Sequence, residues 1–304
     1  MPLTALYRIL SHEELWERAR SAEKLLRKCT LCPRNCKADR TAGQTGFCKT
    51  GDKPFVSSWG PHFGEERPLV GRFGSGTIFF SRCNLGCIFC QNWSISHQGD
   101  GGEISFETLA RVMLDLQEAG CHNINLVTPS HQMPMILHSL AIAAEKGLRI
   151  PIVYNCGGYE SSEALKLLKG IVDVYMPDFK YSDRDAAFTY SKAKDYPLIA
   201  KTALREMHAQ VGDLALDEKG IAARGLLVRH LVLPGGIAGT GEVMRFLANE
   251  LSRETYVNIM DQYYPSYEAS RYPPLDKRIT RQEYKEAVAM AARAGLVRID
   301  GRTL

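Results

Sequence analysis

From residue 76 onward the chain alternates strand-type and helix-type patterns, and this alternation limits the folds open to it. Short apolar runs rich in Val, Ile and aromatic residues predict strands over 76–81, 123–128, 151–155, 171–176, 226–233 and 256–262. Stretches with a helical apolar period predict helices over 106–119, 132–147, 161–169, 184–211, 240–251 and 280–294. A parallel neighbour needs a crossover of helix length, whereas an antiparallel one needs only a hairpin. Six strand-then-helix units with right-handed crossovers therefore point to the α/β class, in the form of an open or partial (β/α)6 TIM-like barrel with parallel strands. In such barrels the reactive residues collect at the C-terminal strand ends. Cys83 to Cys90, Thr128 to His131, Asn155 to Tyr159, Pro177 to Tyr181, Pro234 to Gly236 and Gln262 to Tyr264 all fall there.

Ahead of this region, residues 11–28 predict a helix. Ser11 and Glu14 form a capping-box pair, and Leu15, Ala19, Ala22, Leu25 and Leu26 keep one apolar stripe. Residues 29–75 lose that period and are rich in Cys, Gly, Pro and Arg, as in a metal-knotted segment with short extended pieces. The expected organisation is an N-terminal helical and Cys-rich extension over 1–75, then a barrel with a closing segment over 76–304. A net charge of +4 on 304 residues gives no argument for nucleic acid or membrane. No run of about 18 apolar residues suggests a membrane span, and Met1 to Ala5 lack the basic start of a signal peptide. Nine cysteines, seven of them in two short groups, do not have the layout of a secreted disulfide scaffold. The expected location is cytoplasmic.

The first group to weigh is Cys83, Cys87 and Cys90, three thiols on one short loop with spacing C-x3-C-x2-C. A cubane iron–sulfur cluster normally takes four cysteines. Three close ligands leave one iron open, and an open metal position is where chemistry takes place. The competing reading is part of a structural zinc site. Upstream, Cys29, Cys32, Cys36 and Cys48 give C-x2-C-x3-C-x11-C, again a metal-type spacing. Closed structural zinc and a second 4Fe–4S cluster compete there; shaping of a lid and a disulfide pairing are the other readings. Lys28, Arg34 and Lys37 lie close enough in sequence to stabilise a thiolate-rich anion.

The order strand, C-x3-C-x2-C and helix, with Phe89 just before the third cysteine, resembles the radical S-adenosylmethionine (SAM) superfamily through residues 76–262. The runs Val174 to Lys180 and Val228 to Gly235, with Cys29 to Cys36 upstream, look closest to its pyruvate formate-lyase activating enzyme-like branch. The resemblance implies a 4Fe–4S cluster on Cys83, Cys87 and Cys90 whose open iron is chelated by SAM. Reductive cleavage then yields a 5′-deoxyadenosyl radical that takes hydrogen from an unidentified substrate, a glycyl-radical enzyme being one such target. The electron donor implied is a low-potential flavodoxin or ferredoxin.

The Gly-Gly-Glu run that commonly meets SAM is replaced here by Asn125 to His131, so Thr128 and Ser130 are expected to serve instead. Asn155, Asp178, Lys180 and Arg229 are the other expected cofactor-pocket residues. Arg229 and His230 alternate on one strand, so only one of them can face the interior. His131 reads as a polar contact or a helix-start residue. Cys156 reads as a hydrogen-atom donor or a small buried hydrophobe, and Cys121 as structural. Gly235 and Gly236 would allow close approach to a ligand, and Tyr263, Tyr264, Tyr267 and Tyr272 would line a mouth or close the fold. A functional alternative of another class is a non-catalytic zinc-binding scaffold or regulatory module.

Overall fold

The computed structural model describes residues 4–301. Residues 1–3, on which the expectation about the N-terminus partly rests, and residues 302–304 lie outside the described residues. The elements run α1 (His12–Lys24), β1 (Phe55–His62), α2 (Arg67–Val70), β2 (Ser75–Phe80), β3 (Gly102–Glu103), α3 (Phe106–Glu118), β4 (Ile124–Val127) and α4 (Met133–Glu145). They continue with β5 (Ile152–Cys156), α5 (Ser162–Leu168), β6 (Val174–Pro177), α6 (Arg184–Ser191), α7 (Tyr196–Val211), β7 (Ala215–Leu216) and β8 (Ala222–Leu231). The last are α8 (Thr240–Phe246), β9 (Tyr256–Met260), α9 (Arg281–Ala294) and β10 (Ile299–Asp300).

The strands form one sheet in the order β10-β9-β8-β6-β5-β4-β2-β1-β3, with β7 paired to β8. The neighbours from β2 through β10 are parallel. The two members at the other edge, β1 and β3, are antiparallel. The sheet curls but does not close, giving an α/β fold with a mostly parallel central sheet. Outward residues such as Ile124, Leu126, Ile152, Tyr154 and Val228 are buried in the main core with the flanking helices.

Three elements differ from expectation for identifiable reasons. The helix expected over 184–211 is two helices. Lys192 ends α6 in a left-handed conformation (φ 57°), and Pro197 stands in the first turn of α7, where its missing N–H is tolerated. The first helix stops at Lys24 rather than 28. The segment 29–75 contains β1, eight residues long, which pairs with β2 from Val56 opposite Phe80 to His62 opposite Ser75. Gly60, Pro61 and the exposed Trp59 deprive β1 of apolar alternation, so its sequence does not read as a strand.

The turn from β1 to β2 enters the barrel. Leu69 of α2 is fully buried with Val153, Val174, Met176 and Leu227, the inward residues of β5, β6 and β8. Asn123, just ahead of β4, donates its side-chain N–H to Leu69 O at 2.9 Å. The segment therefore caps the barrel interior at the N-terminal strand ends and leaves the C-terminal end for the site. At its start, Glu66 Oε1 accepts from Asn258 Nδ2 of β9 at 2.8 Å.

Candidate functional site

A cavity of about 250 Å³ opens at the C-terminal strand ends, and Cys83, Cys87 and Cys90 all line it. The loop that carries them is pinned to the end of α6: Gly86 N–H donates to Ser191 O at 3.2 Å and Ile88 N–H to Tyr190 O at 2.9 Å. Breaking the expected long helix at residue 192 is what exposes these carbonyls. Each sulfur has a neighbour able to donate to it. Leu85 N–H lies 3.3 Å from Cys83 Sγ, Ser96 Oγ 3.1 Å from Cys90 Sγ, and Ser191 Oγ 2.9 Å from Cys87 Sγ. Burial pushes the Cys83 and Cys87 thiols above the ordinary cysteine range.

On the facing wall stand four of the expected cofactor-pocket residues, brought together by β5, β6 and β8. Asp178 accepts from Lys180 Nζ at 2.6 Å and from Arg229 Nε at 2.8 Å. Arg229 Nη2 donates to Asn155 Oδ1 at 2.8 Å, and Glu65 Oε2 lies 3.7 Å from Arg229 Nη1. Burial alone would raise the Asp178 carboxyl, but the Arg229 and Lys180 cations outweigh it and hold the group below the usual carboxylate range. Burial would likewise lower Lys180, yet Asp178 and Cys87 keep it raised. Strand alternation is resolved in favour of Arg229. It faces the cavity, while His230 points outward, with its ring nitrogens 2.6 Å from Phe179 O and 2.9 Å from Thr240 Oγ1.

Thr128 also lines the cavity, in a left-handed conformation (φ 60°), its N–H donating to Asn155 O at 2.9 Å. Ser130 does not line it. The turn at Thr128 redirects the chain, and Ser130 is buried with its hydroxyl on Glu160, away from the cavity. Gly235 and Gly236 lie instead at a separate cavity between α8 and α9. Of the tyrosines, Tyr263 is buried against Leu275 O, and Tyr267 stacks on His97 at 4.5 Å beside the cysteine loop.

A single zinc ion draws its ligands onto one point at about 2.0–2.3 Å. Among the described residues no three His, Cys, Asp or Glu side chains are so grouped. Cubane thiolates bind separate irons, so three thiols lining one cavity can serve a cluster without converging on one point.

A family model described as the radical SAM superfamily matches residues 77–209. The uncharacterized protein MJ0674 of Methanocaldococcus jannaschii is 32% identical over 285 residues, covering 90% of this chain and 77% of that protein. The chain belongs to the radical SAM superfamily. A second protein of that organism, MJ0808, is 24% identical over 268 residues, covering 81% of this chain and 73% of its own. Among solved structures, the FeFe-hydrogenase maturase HydG aligns with a TM-score of 0.47 at 15% identity, over 70% of this chain and 47% of HydG. HydG from Carboxydothermus hydrogenoformans gives 0.46 at 13%, over 71% and 49%. The chain thus spans about half the length of those maturases.

In this radical SAM chain the remaining expected residues also have clear places. Cys156 lines the cavity at the end of β5, largely buried, and Cys121 is buried at the opposite end of the barrel, between α3 and β4. All nine cysteines are free thiols, so none of the upstream four is paired as a disulfide. Cys29, Cys32, Cys36 and Cys48 together line a further small cavity, joined there by Arg34, Arg40, Asn84 and His131. Sequence reasoning missed Glu65, which supports Arg229 from the barrel interior, and Arg40. Both sit in stretches without periodicity, where a charged residue looks like ordinary surface. The expected role of Arg34 also changes: its Nε donates to Asn84 O at 2.9 Å, and its guanidinium lies over Phe47 at 3.8 Å. It ties the upstream segment to the cluster loop.

Proposed function

We propose that this radical SAM enzyme holds a 4Fe–4S cluster on Cys83, Cys87 and Cys90 and binds SAM against Thr128, Asn155, Asp178, Lys180 and Arg229. The observation that carries the reading is that three thiols, each with a hydrogen-bond neighbour, face the linked, partly buried side chains of Asp178, Lys180, Arg229 and Asn155 across one cavity. When bound, the cluster and SAM supply one-electron cleavage of the sulfonium and a 5′-deoxyadenosyl radical that removes a hydrogen atom from the substrate.

The chain's own part is to bind, orient and shield. Lys180, held by Asp178, presents a point charge suited to a carboxylate. The oxygens of Asn155 and Asp178 offer acceptors for hydroxyl or ammonium groups. Phe79, Val127, Leu231 and Met260 supply apolar walls that keep water from a reactive species. At the mouth, Gln91 Nε2 donates to Gln262 O at 2.9 Å and joins the cluster loop to the segment after β9.

The substrate favoured by the resemblance to the pyruvate formate-lyase activating enzyme-like branch is a glycine C–H of a glycyl-radical enzyme. The reductant is a low-potential flavodoxin or ferredoxin in the cytoplasm. The test is anaerobic reconstitution with iron and sulfide, followed by reduction in the presence of SAM. Wild type is expected to release 5′-deoxyadenosine, and a C83A/C87A/C90A variant to release none. Co-incubation with candidate glycyl-radical enzymes should produce a glycine-centred EPR signal. A colourless wild-type protein that retains only zinc and leaves SAM intact would overturn the reading in favour of the scaffold.

A further inference from the structure

The cavity lined by Cys29, Cys32, Cys36 and Cys48 contains a buried cation without an anion. Arg40 is 1% exposed, and its guanidinium donates to Gly51 O at 2.9 Å and to His131 O at 2.9 Å. Among the described residues no carboxylate pairs with it. A buried charge without a counter-charge is costly, and what surrounds Arg40 is the set of four cysteines. His131, also 1% exposed, lines the same cavity. Its Nε2 lies 2.8 Å from Ser81 O, which leaves Nδ1 buried with no hydrogen-bond partner. With Nε2–H donating to Ser81 O, that Nδ1 is an acceptor and adds no pull on an anion; the uncompensated Arg40 guanidinium beside four cysteines is what points to an anionic occupant.

Position and spacing narrow its identity. The four thiols line one cavity, as the three of the Cys83 loop line theirs. Cys29, Cys32 and Cys48 are buried whereas Cys36 is exposed, so one ligand faces the surroundings. The opposite wall is Asn84, the residue between Cys83 and Leu85, both of which line the first cavity. A structural zinc site has no need of an exposed edge on one side and the radical-generating cavity on the other.

We propose that Cys29, Cys32, Cys36 and Cys48 hold a second iron–sulfur cluster with Arg40 as its buried counter-cation. The cluster is placed to accept one electron from an external low-potential donor on its Cys36 side and to pass that electron to the cluster on the Cys83 loop. Its existence stands on the cavity of the upstream cysteines alone, whereas its relay role rests on the radical SAM reading.

The test uses full-length protein reconstituted anaerobically with iron and sulfide. Wild type is expected to hold about eight irons, and the C83A/C87A/C90A and C32A/C48A variants about four each. The cluster left in C83A/C87A/C90A should give a reduced EPR signal that SAM does not alter, and the one left in C32A/C48A a signal that SAM does alter. Arg40→Met, with every cysteine intact, should lose the upstream iron selectively and so provides a check if C32A/C48A fails to fold. Reduction of the remaining cluster by photoreduced flavodoxin should slow about tenfold or more in C32A/C48A, while reduction by dithionite stays unchanged.

A C83A/C87A/C90A protein without iron, or with zinc alone, overturns the second cluster. An unchanged flavodoxin rate overturns the relay. Four irons in that variant, together with a wild-type signal that SAM never shifts, would leave the second cluster standing and overturn the radical SAM pocket instead.

Discussion

Arg229 Nε donates to Asp178 Oδ1 at 2.8 Å and so joins the chain just past β6 to the inward face of β8. The same two residues also meet through the backbone as an isolated parallel bridge. The contact extends the β6–β8 pairing beyond the end of β6 and sets two opposite charges on the cavity wall. Lys180 completes one side and Asn155 the other. Glu65, on the segment that fills the barrel from below, approaches Arg229 from the interior. Two cations and two carboxylates therefore share a largely enclosed site, and burial raises the Glu65 carboxyl although Arg229 opposes that shift.

Asp178→Asn keeps the shape of this contact and removes its charge. Hydrogen bonds to charged groups are worth about 1.5–3 kcal/mol, so SAM affinity is expected to fall about 10- to 100-fold. Iron content should remain that of wild type, because Asp178 carries no sulfur ligand. Anaerobic calorimetry with SAM alongside iron counting checks both halves. Unchanged affinity would remove Asp178 from the pocket.

Ser191 is a second point of leverage. Tyr181 OH lies 2.8 Å from Ser191 Oγ and, as the donor there, leaves the serine proton for Cys87 Sγ at 2.9 Å. Hydrogen bonds to cluster sulfurs are among the determinants of reduction potential. Ser191→Ala is expected to make the potential of the Cys83-loop cluster more negative, read by EPR-monitored redox titration. It also strands a buried tyrosine hydroxyl, at a stability cost of about 1–3 kcal/mol in urea unfolding.

These sites differ in how far the sequence announces them. The cysteine loop is local: three residues within eight positions, directly after an apolar run, carry their own signal. The parallel order of strands follows from helix-length crossovers and is equally readable. Arg40 and Glu65 are different, because their burial arises from contacts with residues more than 90 positions away, His131 and Arg229 respectively. The position of Ser130 was unreadable for another reason. Two residues earlier Thr128 adopts φ 60°, a conformation that a non-glycine residue seldom takes and that no pattern in the sequence marks. Pro197, by contrast, was a visible helix-start signal inside the helix expected over 184–211.

Leu69 tests the filling of the barrel interior. Its side chain is fully buried among Val153, Val174, Met176 and Leu227, in a cluster completed by Leu214, Ala222 and the partly buried Tyr256. Leu69→Ala leaves a cavity that rigid strands cannot collapse, and the expected cost is about 2–5 kcal/mol. Thermal or urea unfolding of the apoprotein measures it. A loss below about 1 kcal/mol would mean that α2 contributes little to the closure of the barrel.

Asp173 makes the fold sensitive to pH at a site that lines none of the three cavities. Its two carboxylate oxygens accept the backbone N–H groups of Leu6 at 2.8 Å and Ile152 at 2.9 Å, which ties the N-terminal segment to the start of β5. Burial nevertheless raises its pKa from 3.8 to about 6, with those two N–H groups and Arg224 opposing the shift. The folded state therefore holds this proton more tightly than the unfolded chain does. The contribution is most favourable below about pH 4, falls as the pH rises to about 6, and is constant beyond, by linkage. At about 1.4 kcal/mol per unit the fall is on the order of 3 kcal/mol. Asp173→Asn lacks the titration and carries only a pH-independent offset from its altered hydrogen bonds. Urea unfolding of wild type and variant across this range should show the wild type losing stability relative to the variant between about pH 4 and pH 6. A difference that stays flat would show that Asp173 is ionised throughout and that its two N–H donors outweigh its burial.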